Sequence, residues 1–316
     1  MQHSRFTFAP MLNPVICIGA ALVDELYHAN APILLATTNE GTVHRSAGGV
    51  SRNIAHQLAL LGVPVQLISV FGSDGEGDWL KTICEYTGIQ LDAAITTSSL
   101  TGKYTGILNV DGSLFTAFLT NPPLHLITPE HLENNKALLE TASVILADAN
   151  INVATAQWLL AFSNATGIPF IIEPVSVPPA EKYRDANLNG LYLITPNEDE
   201  LPVLCSTAAT TIEAQVAELL KKGIKNIWLH RGAQGSSFFS KEKSITLAAP
   251  EAAVKDCTGA GDGSVSGFIL AKYLQKSDEE SLRIAHTLSA EILQVNGAIA
   301  THLTQEKLLQ LVSKYY

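Results

Sequence analysis

Short apolar runs alternate along this chain with longer segments whose apolar residues recur at helical spacing. Runs without polar interruptions are typical of strands covered on both faces, and the alternation predicts a largely parallel sheet with helices on both sides. The predicted strands are Val15–Val23, Val65–Phe71, Val144–Ala147, Phe170–Ile172, Leu191–Ile194 and Ile227–His230. The predicted helices are Ser51–Leu61, Gly75–Tyr86, Ala154–Phe162, Glu198–Cys205, Ile212–Lys222, Ala260–Leu274, Glu279–Gln294 and Thr304–Ser313.

Two segments interrupt this alternation. Residues 31–47 carry no helical stripe, and residues 93–120 contain two β-type runs separated by Asp111-Gly112. An Asp-Gly pair between such runs is a strong hairpin signal. The sequence therefore predicts a small antiparallel sheet inserted in the α/β body, which serves as a lid over a site or as a docking surface for a second copy.

Composition narrows the classes of function. The chain has 316 residues, of which 47% are hydrophobic and 16% charged, and its formal net charge is −10. This is enough apolar material for a large core, and the negative charge argues against nucleic-acid and membrane-surface partners. Four cysteines without metal-binding or redox spacing favour reduced thiols in the cytoplasm. We interpret Val15–Val23, which Asp24 follows at once, as a buried strand and not as a signal sequence.

The sequence KDCTGAGDGSVSGF, residues 255–268, places four glycines and two aspartates ahead of an apolar segment. The start of a helix carries unpaired N–H groups and partial positive charge, and glycine lets a phosphate approach the backbone closely. The TGAG turn therefore indicates an anion cradle. Asp262, in the first helical turn, would accept the proton of a hydroxyl that attacks the phosphate, as kinase chemistry requires. The alternative is a capping acid next to a packing glycine.

A second unusual stretch is AGGVSRNIA, residues 47–55. Gly48 and Gly49 precede a predicted helix, and Asn53 lies in its first turn, where its amide could hold a polyol. Asp24, just past the first predicted strand, could accept hydrogen bonds from sugar hydroxyls. A carboxylate and an amide that grip neighbouring hydroxyls are ordinary sugar-binding chemistry. The alternative is a helix-entry turn with polar surface residues.

Two further stretches could hold a nucleotide. In TPNEDE, Asn197 and Glu200 lie three residues apart at a helix start and could hold Mg²⁺ through water; the alternative is a helix cap. In RGAQGSSFF, the turn with Arg231, Gly232 and Gly235 could line an adenine site, although a tight hairpin explains it as well. The sequence lacks the dinucleotide, P-loop, zinc-protease and serine-hydrolase motifs.

Taken together and in order, GGVSRNIA, TPNEDE and DCTGAGD resemble the signatures of the ribokinase-like (PfkB-type) family of sugar and nucleoside kinases. The resemblance spans about residues 15–312. It implies an α/β fold: a three-layer α/β/α sandwich with a mostly parallel central sheet and a small inserted β-sheet lid that often forms a homodimer contact. We expect a single kinase domain over residues 1–316, with lid segments at about 25–47 and 93–121.

The resemblance also implies the cofactors ATP and Mg²⁺ and the role of each matching residue. Asp262 becomes the catalytic base, and the backbone of Gly259, Ala260 and Gly261 becomes the anion hole. Many members bind a monovalent cation such as K⁺, for which Asp256 matches. The other matching positions are Asp24, Gly48, Gly49 and Asn53 for the acceptor, Asn197 and Glu200 for Mg²⁺ and phosphate, and Thr258 for the monovalent cation.

Three segments, residues 48–62, 144–151 and 173–176, resemble the branch of the family that phosphorylates the 5′-hydroxyl of pseudouridine. Three departures leave the acceptor open. Leu22 stands where the family often has Asn, Glu173 stands where this branch usually has Asp, and residues 118–123 lack an expected acid. Lys103 and Glu173 are candidate contacts to the base. The alternatives are another nucleoside or sugar, such as adenosine, ribose or an acidic sugar, and a non-catalytic sugar or nucleotide sensor.

Overall fold

The computed structural model describes residues 13–316. Its strands are β1 (Val15–Ile18), β2 (Leu22–Ala29), β3 (Gly41–Gly48), β4 (Val65–Ile68), β5 (Val70–Gly72), β6 (Ile89–Gln90), β7 (Ile95–Thr97), β8 (Lys103–Leu108), β9 (Leu114–Thr120), β10 (Val144–Asp148), β11 (Phe170–Glu173), β12 (Leu193–Ile194), β13 (Asn226–His230), β14 (Ser236–Ser240) and β15 (Ser244–Leu247).

The helices lie mainly between these strands and after the last of them. They are α1 (Val50–Leu60), α2 (Gly75–Tyr86), α3 (Pro129–Asn134), α4 (Lys136–Leu139), α5 (Val153–Thr166), α6 (Val177–Glu181), α7 (Glu200–Val203), α8 (Ile212–Lys221), α9 (Ala260–Tyr273), α10 (Asp278–Ile292) and α11 (Gln305–Tyr315). Short 3₁₀ turns occupy Leu124–Leu126 and Gly232–Gln234. None of the helices within residues 13–316 has the length and apolar character that crossing a bilayer requires.

Nine strands form the central sheet in the order β15-β14-β13-β12-β11-β10-β1-β4-β6. The seven strands from β13 to β6 pair in parallel, and only β14 and β15 are antiparallel. The chain leaves β1 for β4 on one side and later fills the other side from β10 onward. This reversal of direction creates a crevice at the carboxyl end of β1, which is where open α/β sheets bind ligands.

The sheet is buried on both faces. Side chains alternate along a strand, so Val15 and Cys17 join one hydrophobic core, while Ile16 and Ile18 join another on the opposite face. The first core includes residues of α1, α2, α9, α10 and α11, and the second includes residues of α3, α5, α7 and α8. The predicted three-layer α/β/α sandwich with a smaller separate sheet is confirmed.

Two of the predicted strands are each divided into two separate strands in the structure. The run Val15–Val23 breaks at Gly19, whose φ is 148°, and continues as β2 in another sheet. A Cβ atom at Gly19 would lie 2.2 Å from Oδ2 of Asp148, so only glycine fits there. The run Val65–Phe71 likewise divides into β4 in the central sheet and β5, which pairs with β7. An apolar run does not reveal a change of sheet because both of its parts are buried.

The small sheet contains four strands in the order β3-β2-β8-β9. The hairpin predicted at Asp111-Gly112 joins β8 to β9, and Gly112 has φ of 83°. The prediction of a purely antiparallel sheet is wrong, because β2 and β8 pair in parallel. They can do so because a long stretch of chain, including two central strands, separates them. In this register Asp24 lies opposite Tyr104, which in turn lies opposite Leu119.

Candidate active site

A cavity of about 700 Å³ lies between the small sheet and the carboxyl edge of the central sheet. The small sheet contributes Asp24, Tyr104 and Leu119, all on one face. The start of α1 contributes Gly49 and Asn53. The other lining residues are Ala20, Leu22, Val50, Asn121, Pro122, Leu124, His125, Asn150, Val175, Ser176, Pro178, Pro179 and Lys182.

The entrance to α1 is built around a buried arginine. Gly49 caps the helix with φ of 98°, a conformation that favours glycine. Arg52 is 1% exposed, and its Nε and Nη2 atoms donate to the carbonyl oxygens of Gly48 at 2.8 Å and Ala47 at 2.7 Å. Nη2 also donates to Oδ1 of Asn53. This contact leaves the Nδ2 group of Asn53 as the donor that faces the site.

Asp262 lies in the first turn of α9, where its Oδ2 atom accepts a 2.8 Å hydrogen bond from Nδ2 of Asn53. Burial raises its pKa to about 6, while Asn53 and the Arg52 guanidinium act in the opposite direction. Burial likewise raises the pKa of Asp24 to about 6, against the attraction of Arg52. Asp24 and Asn53 line the cavity, whereas Asp262 and Arg52 do not line it themselves and reach it through their hydrogen bonds with Asn53.

The Asp24 carboxylate is free of hydrogen bonds to other groups in residues 13–316, so it can accept from a bound hydroxyl. It packs directly over Gly48, where a Cβ atom would lie 2.1 Å from Oδ2 of Asp24. Gly48 and Gly49 thus have different tasks: the first makes room for the carboxylate, and the second turns the chain into α1.

The N-terminal end of α9 is exposed to an approaching anion. Gly259 caps it with φ of 75°, and a Cβ atom there would lie 2.5 Å from Cα of Ala298. Gly261 is exposed, with open space where its Cβ would be. Within residues 13–316 the amides of Gly261 and Asp262 donate to no protein acceptor. Together with the partial positive charge of the helix end, they can receive a phosphoryl oxygen.

Asn197 and Glu200 cap each other at the end of β12. Oδ1 of Asn197 accepts from the Glu200 amide at 2.9 Å, and Oε2 of Glu200 accepts from the Asn197 amide at 2.9 Å. Glu200 is 3% exposed, and burial raises the pKa of its carboxyl above the usual value. The geometry is that of the capping alternative, and it also holds the carboxylate rigidly at the carboxyl edge of the sheet.

The turn that contains Arg231, Gly232 and Gly235 connects β13 to the antiparallel β14, so the hairpin interpretation of this segment is correct. Nε of Arg231 donates to Oε1 of Glu198 at 3.0 Å. Gly235 has φ of 94°, and a Cβ atom there would lie 2.0 Å from the carbonyl oxygen of Leu247. The turn begins where β13 ends, at the same edge of the sheet as Asn197, which bridges to His230.

The structure does not bring Lys103 to the cavity. Lys103 and Glu25 lie on the face of the small sheet opposite Asp24, because side chains alternate along a strand. Nζ of Lys103 pairs instead with Glu76 at 2.6 Å and Glu25 at 3.1 Å. This contradicts the predicted base contact. The strand pattern identified Lys103 as part of the small sheet but left open which face it occupies.

Glu173 ends β11 at the carboxyl edge, but it does not line the cavity either. Its Oε2 atom accepts from the amide of Val175 at 2.6 Å, and Val175 itself lines the cavity. Burial raises the pKa of the Glu173 carboxyl well above its usual value, and the charges of Asp262 and Glu200 add to this.

Asp256 stabilises the loop ahead of α9. Its carboxylate oxygens accept from the amides of Thr258 and Gly297, each at 2.8 Å. These two bonds hold the pKa of Asp256 below its usual value, although partial burial opposes them. The carboxylate thereby ties the anion cradle to the loop that follows α10.

Two buried charged residues escaped the sequence analysis. Arg52 is described above. Asp148 is fully buried at the end of β10, where it accepts from the amides of Ala20 at 2.7 Å and Ser51 at 3.2 Å. It thereby joins the end of β1 to the start of α1. For Asp148 the signal was an acid at the end of the apolar run VILAD, whereas VSRNIA is too polar to mark Arg52 as buried.

A mostly parallel α/β/α sandwich, a smaller sheet over its carboxyl edge and an acid at the start of a late helix define the ribokinase-type class of small-molecule kinases. The chain belongs to the pfkB family of carbohydrate kinases, whose family model matches residues 13–305. It is 30% identical over 303 residues to a pseudouridine kinase of Escherichia coli (strain K12), covering 94% of this chain and 96% of that protein. It is 23% identical over 288 residues to a guanosine-inosine kinase of Exiguobacterium acetylicum, covering 89% and 95%.

Solved structures show the same fold. A carbohydrate kinase from Agrobacterium tumefaciens is 26% identical, with a TM-score of 0.84 over 95% of this chain and 97% of that one. A ribokinase of Arabidopsis thaliana, solved with ribose and ATP, is 25% identical, with a TM-score of 0.82 over 96% and 99%. The chain is therefore similar along nearly its whole length to kinases that act on small sugars and nucleosides.

Proposed function

We propose that this kinase transfers the γ-phosphoryl group of ATP to the 5′-type primary hydroxyl of a nucleoside, with pseudouridine as the first candidate. The observation that carries the proposal is the hydrogen bond from Asn53 to Asp262, because it joins the acceptor cavity to the anion-binding end of α9. A hydroxyl held near Asn53 and Asp24 would lie close to the acid that must take its proton. The similarity to a pseudouridine kinase supports the choice of acceptor.

In this proposal the substrate hydroxyls are bound by Asp24 and Asn53, and Gly49 lets the sugar approach the backbone. Asp262 orients the attacking hydroxyl and accepts its proton. A pKa of about 6 leaves it largely ionised at neutral pH and still basic enough to act. The amides of Gly261 and Asp262, with the Gly259–Ala260 turn, stabilise negative charge on the phosphoryl oxygens.

The residues at the carboxyl edge fit Mg²⁺ bound together with nucleotide phosphates. Within residues 13–316 no group of three His, Cys, Asp or Glu side chains could hold a metal ion, so phosphate and water oxygens would complete its shell. Glu200 is the carboxylate best placed for this, since Asn197 fixes it there. Bound Mg²⁺ would neutralise charge on the phosphates.

The Arg231–Gly235 turn would border the nucleotide. The proposal also includes a monovalent cation near Asp256 and Thr258.

A second candidate acceptor is a free sugar or another nucleoside. Leu22 lines the cavity where the family often places an amide, which removes one polar contact from the acceptor site. Relatives that are ribokinases or a guanosine-inosine kinase support this alternative. A panel of pseudouridine, uridine, adenosine, guanosine, inosine and ribose with ATP, analysed by product mass, would decide between them. Turnover of ribose without turnover of pseudouridine would select the alternative.

Replacing Asp262 tests the catalytic assignment. We expect Asp262→Asn to lower kcat about 10²- to 10⁴-fold, because the base is lost while the shape of the site is kept. Nucleotide binding, measured by calorimetry, should stay close to that of the parent protein. A variant with near-parental turnover would refute the assignment, and ligand binding without ATP consumption in the parent would favour a non-catalytic sensor.

The proposal includes a homodimer formed through the small sheet and a cytoplasmic location. Tyr27 and Val43, which lie opposite each other, and Phe118 on edge strand β9 are exposed on the face of that sheet away from the cavity, and exposed apolar side chains on one face can mark an interaction surface. All four cysteines are free thiols, as expected in a reducing compartment.

A further inference from the structure

Three residues that follow β11 form a strained turn. The amide of Ser176 donates to the carbonyl oxygen of Pro174 at 2.9 Å, which closes a γ-turn with Val175 at its centre. Val175 has φ of 72°. Only Ala36, Val175 and Gln275 share a positive φ among the non-glycine residues in 13–316, and Val175 alone of these is β-branched. A γ-turn of this hand is rare, and a β-branched residue at its centre is a true outlier, so something must hold it.

Glu173 is the group that holds the turn. Its Oε2 atom accepts from the amide of Val175 at 2.6 Å, the short distance expected when the acceptor is a carboxylate. The backbone of Glu173 is itself fixed, since it pairs with Asp148 in the sheet and its carbonyl oxygen accepts from Ala149 at 2.8 Å. A rigid strand end therefore presents a carboxyl oxygen to the amide of the residue at the centre of the turn.

The turn shapes one wall of the acceptor cavity. Val175 and Ser176 both line it, as do Pro178 and Pro179 in the helix that follows. Ser176 is the cap residue of α6, so the direction of the turn also sets where that helix begins. If Val175 moved to a negative φ, the wall and the start of α6 would move with it.

The Glu173 side chain makes no polar contact within residues 13–316 other than the one to the Val175 amide. No lysine or arginine within residues 13–316 forms an ion pair with it, and the neighbouring charges come from Asp262 and Glu200. Two acids and burial make this an unfavourable place for a carboxylate. The side-chain oxygen that accepts from Val175 is therefore the contact through which Glu173 acts on its surroundings.

We propose that Glu173 is a positioning residue, which holds the Val175 γ-turn in its strained form and so sets the wall that the phosphoryl acceptor meets. This inference rests on the proposed function in one respect, that the 700 Å³ cavity is the acceptor site. It assigns Glu173 no contact with acceptor, ATP or Mg²⁺.

Four chains test it: the parent, Glu173→Gln, Glu173→Ala and the double variant Glu173→Ala with Val175→Gly. The acceptor is whichever of pseudouridine, uridine, guanosine and ribose the parent phosphorylates. Gln keeps an oxygen for the Val175 amide, so its acceptor KM should stay within about twofold of the parent. Ala loses that acceptor, and we expect acceptor KM to rise about tenfold while the KM for ATP is unchanged. Glycine tolerates positive φ, so the double variant should recover most of the loss.

The outcomes separate the two claims. No turnover of any acceptor by the parent would contradict the proposed function alone. An unchanged acceptor KM in Glu173→Ala would overturn the positioning role. A KM for ATP or Mg²⁺ that rises in Glu173→Ala and stays raised in the double variant would overturn it as well. Crystal structures give a readout without turnover: Val175 should take a negative φ in Glu173→Ala, and a turn that stays strained there would refute the inference.

Discussion

The Nδ2 group of Asn53 donates a 2.8 Å hydrogen bond to Oδ2 of Asp262, across 209 positions of sequence. The direction of this bond is set by Arg52, which donates to the Oδ1 atom of the same amide. The buried guanidinium therefore orients Asn53, and Asn53 stabilises the ionised form of Asp262. These contacts limit the rise in pKa that burial causes, so that the net pKa of Asp262 is about 6.

Asn53→Ala should move the acid limb of activity to higher pH. Without the amide, the charged form of Asp262 loses one donor, so its pKa rises and the base is protonated over more of the pH range. We expect the lower limb of log kcat/KM against pH to move from about pH 6 toward about pH 7. The measurement is a pH–rate profile with the acceptor below its KM.

Asn121→Ala is the matched control. Asn121 is an exposed amide that lines the same cavity and makes no hydrogen bond to Asp262. Its acid limb should coincide with that of the parent. An acid limb that shifts equally in both variants, or in neither, would show that Asn53 does not control the ionisation of Asp262.

Asp262→Asn should stabilise the free protein at pH 8 and leave it unchanged at pH 3.5. The folded-state pKa of Asp262 is raised from 3.8 to about 6, so the folded protein binds more protons than the unfolded one between these values. Stability from this group is therefore lost as pH rises through that window, and the buried charge costs free energy above it. Asn removes that cost. We expect a Tm increase of about 2 °C at pH 8 by calorimetry.

The Tm measured at pH 3.5 is the control for the Tm at pH 8, because a packing change caused by the substitution would alter Tm at both pH values. A Tm increase of equal size at pH 3.5 and pH 8 would attribute the effect to packing. A lower Tm at pH 8 would show that the ionised carboxylate is stabilised in the fold, which would contradict the direction of its pKa shift.

The sequence predicted the layers of the fold because burial on both faces leaves a simple pattern, the uninterrupted apolar run. Two glycines singled out from the sequence, Gly49 and Gly259, have the positive φ that favours glycine, while the roles of Asp24 and Asp262 stay predictions. The sequence pattern did not show where the chain leaves one sheet and enters another. Gly19 and Ser69 end central strands without altering the apolar character of their runs, and the cause at Gly19 is Asp148, which lies 129 positions away.

The hydrophobic pattern also did not show which face of a sheet each side chain occupies. Lys103 and Tyr104 are neighbours in one strand, yet only Tyr104 lines the cavity. Choosing between them requires the register of β8 against β2, and that register depends on contacts between distant segments. Arg52 shows the same limit: an arginine in the first turn of a helix resembles a surface residue until the carbonyl groups around it are known.

Lys103→Met should change acceptor KM by less than about twofold. The Lys103 side chain lies on the far side of the small sheet, in ion pairs with Glu25 and Glu76. Partly exposed pairs of this kind contribute little, and we expect the free energy of unfolding to fall by about 1 kcal/mol or less. Steady-state kinetics and urea unfolding measure the two effects. Glu25→Gln is the matched control, and an acceptor KM raised tenfold by Lys103→Met alone would restore the substrate contact predicted from the sequence.

Phe118→Glu should convert a dimer of this protein into monomers. Phe118 is 68% exposed on edge strand β9, on the same face of the small sheet as Tyr27 and Val43, and an apolar surface of this kind is stable in water when a second copy covers it. A carboxylate in place of Phe118 would be buried without a partner in the dimer and costs little in the monomer. Light scattering after size-exclusion chromatography measures the mass of each species.

Tyr86→Glu provides the control for this last prediction. Tyr86 is 91% exposed at the end of α2, outside the small sheet, and the same change of charge there should leave the mass unchanged. A parent protein that is monomeric at all concentrations would refute the proposed dimer. If Tyr86→Glu dissociated the dimer and Phe118→Glu did not, the interface would be at α2. The side chain whose new charge separates the two copies must lie between them.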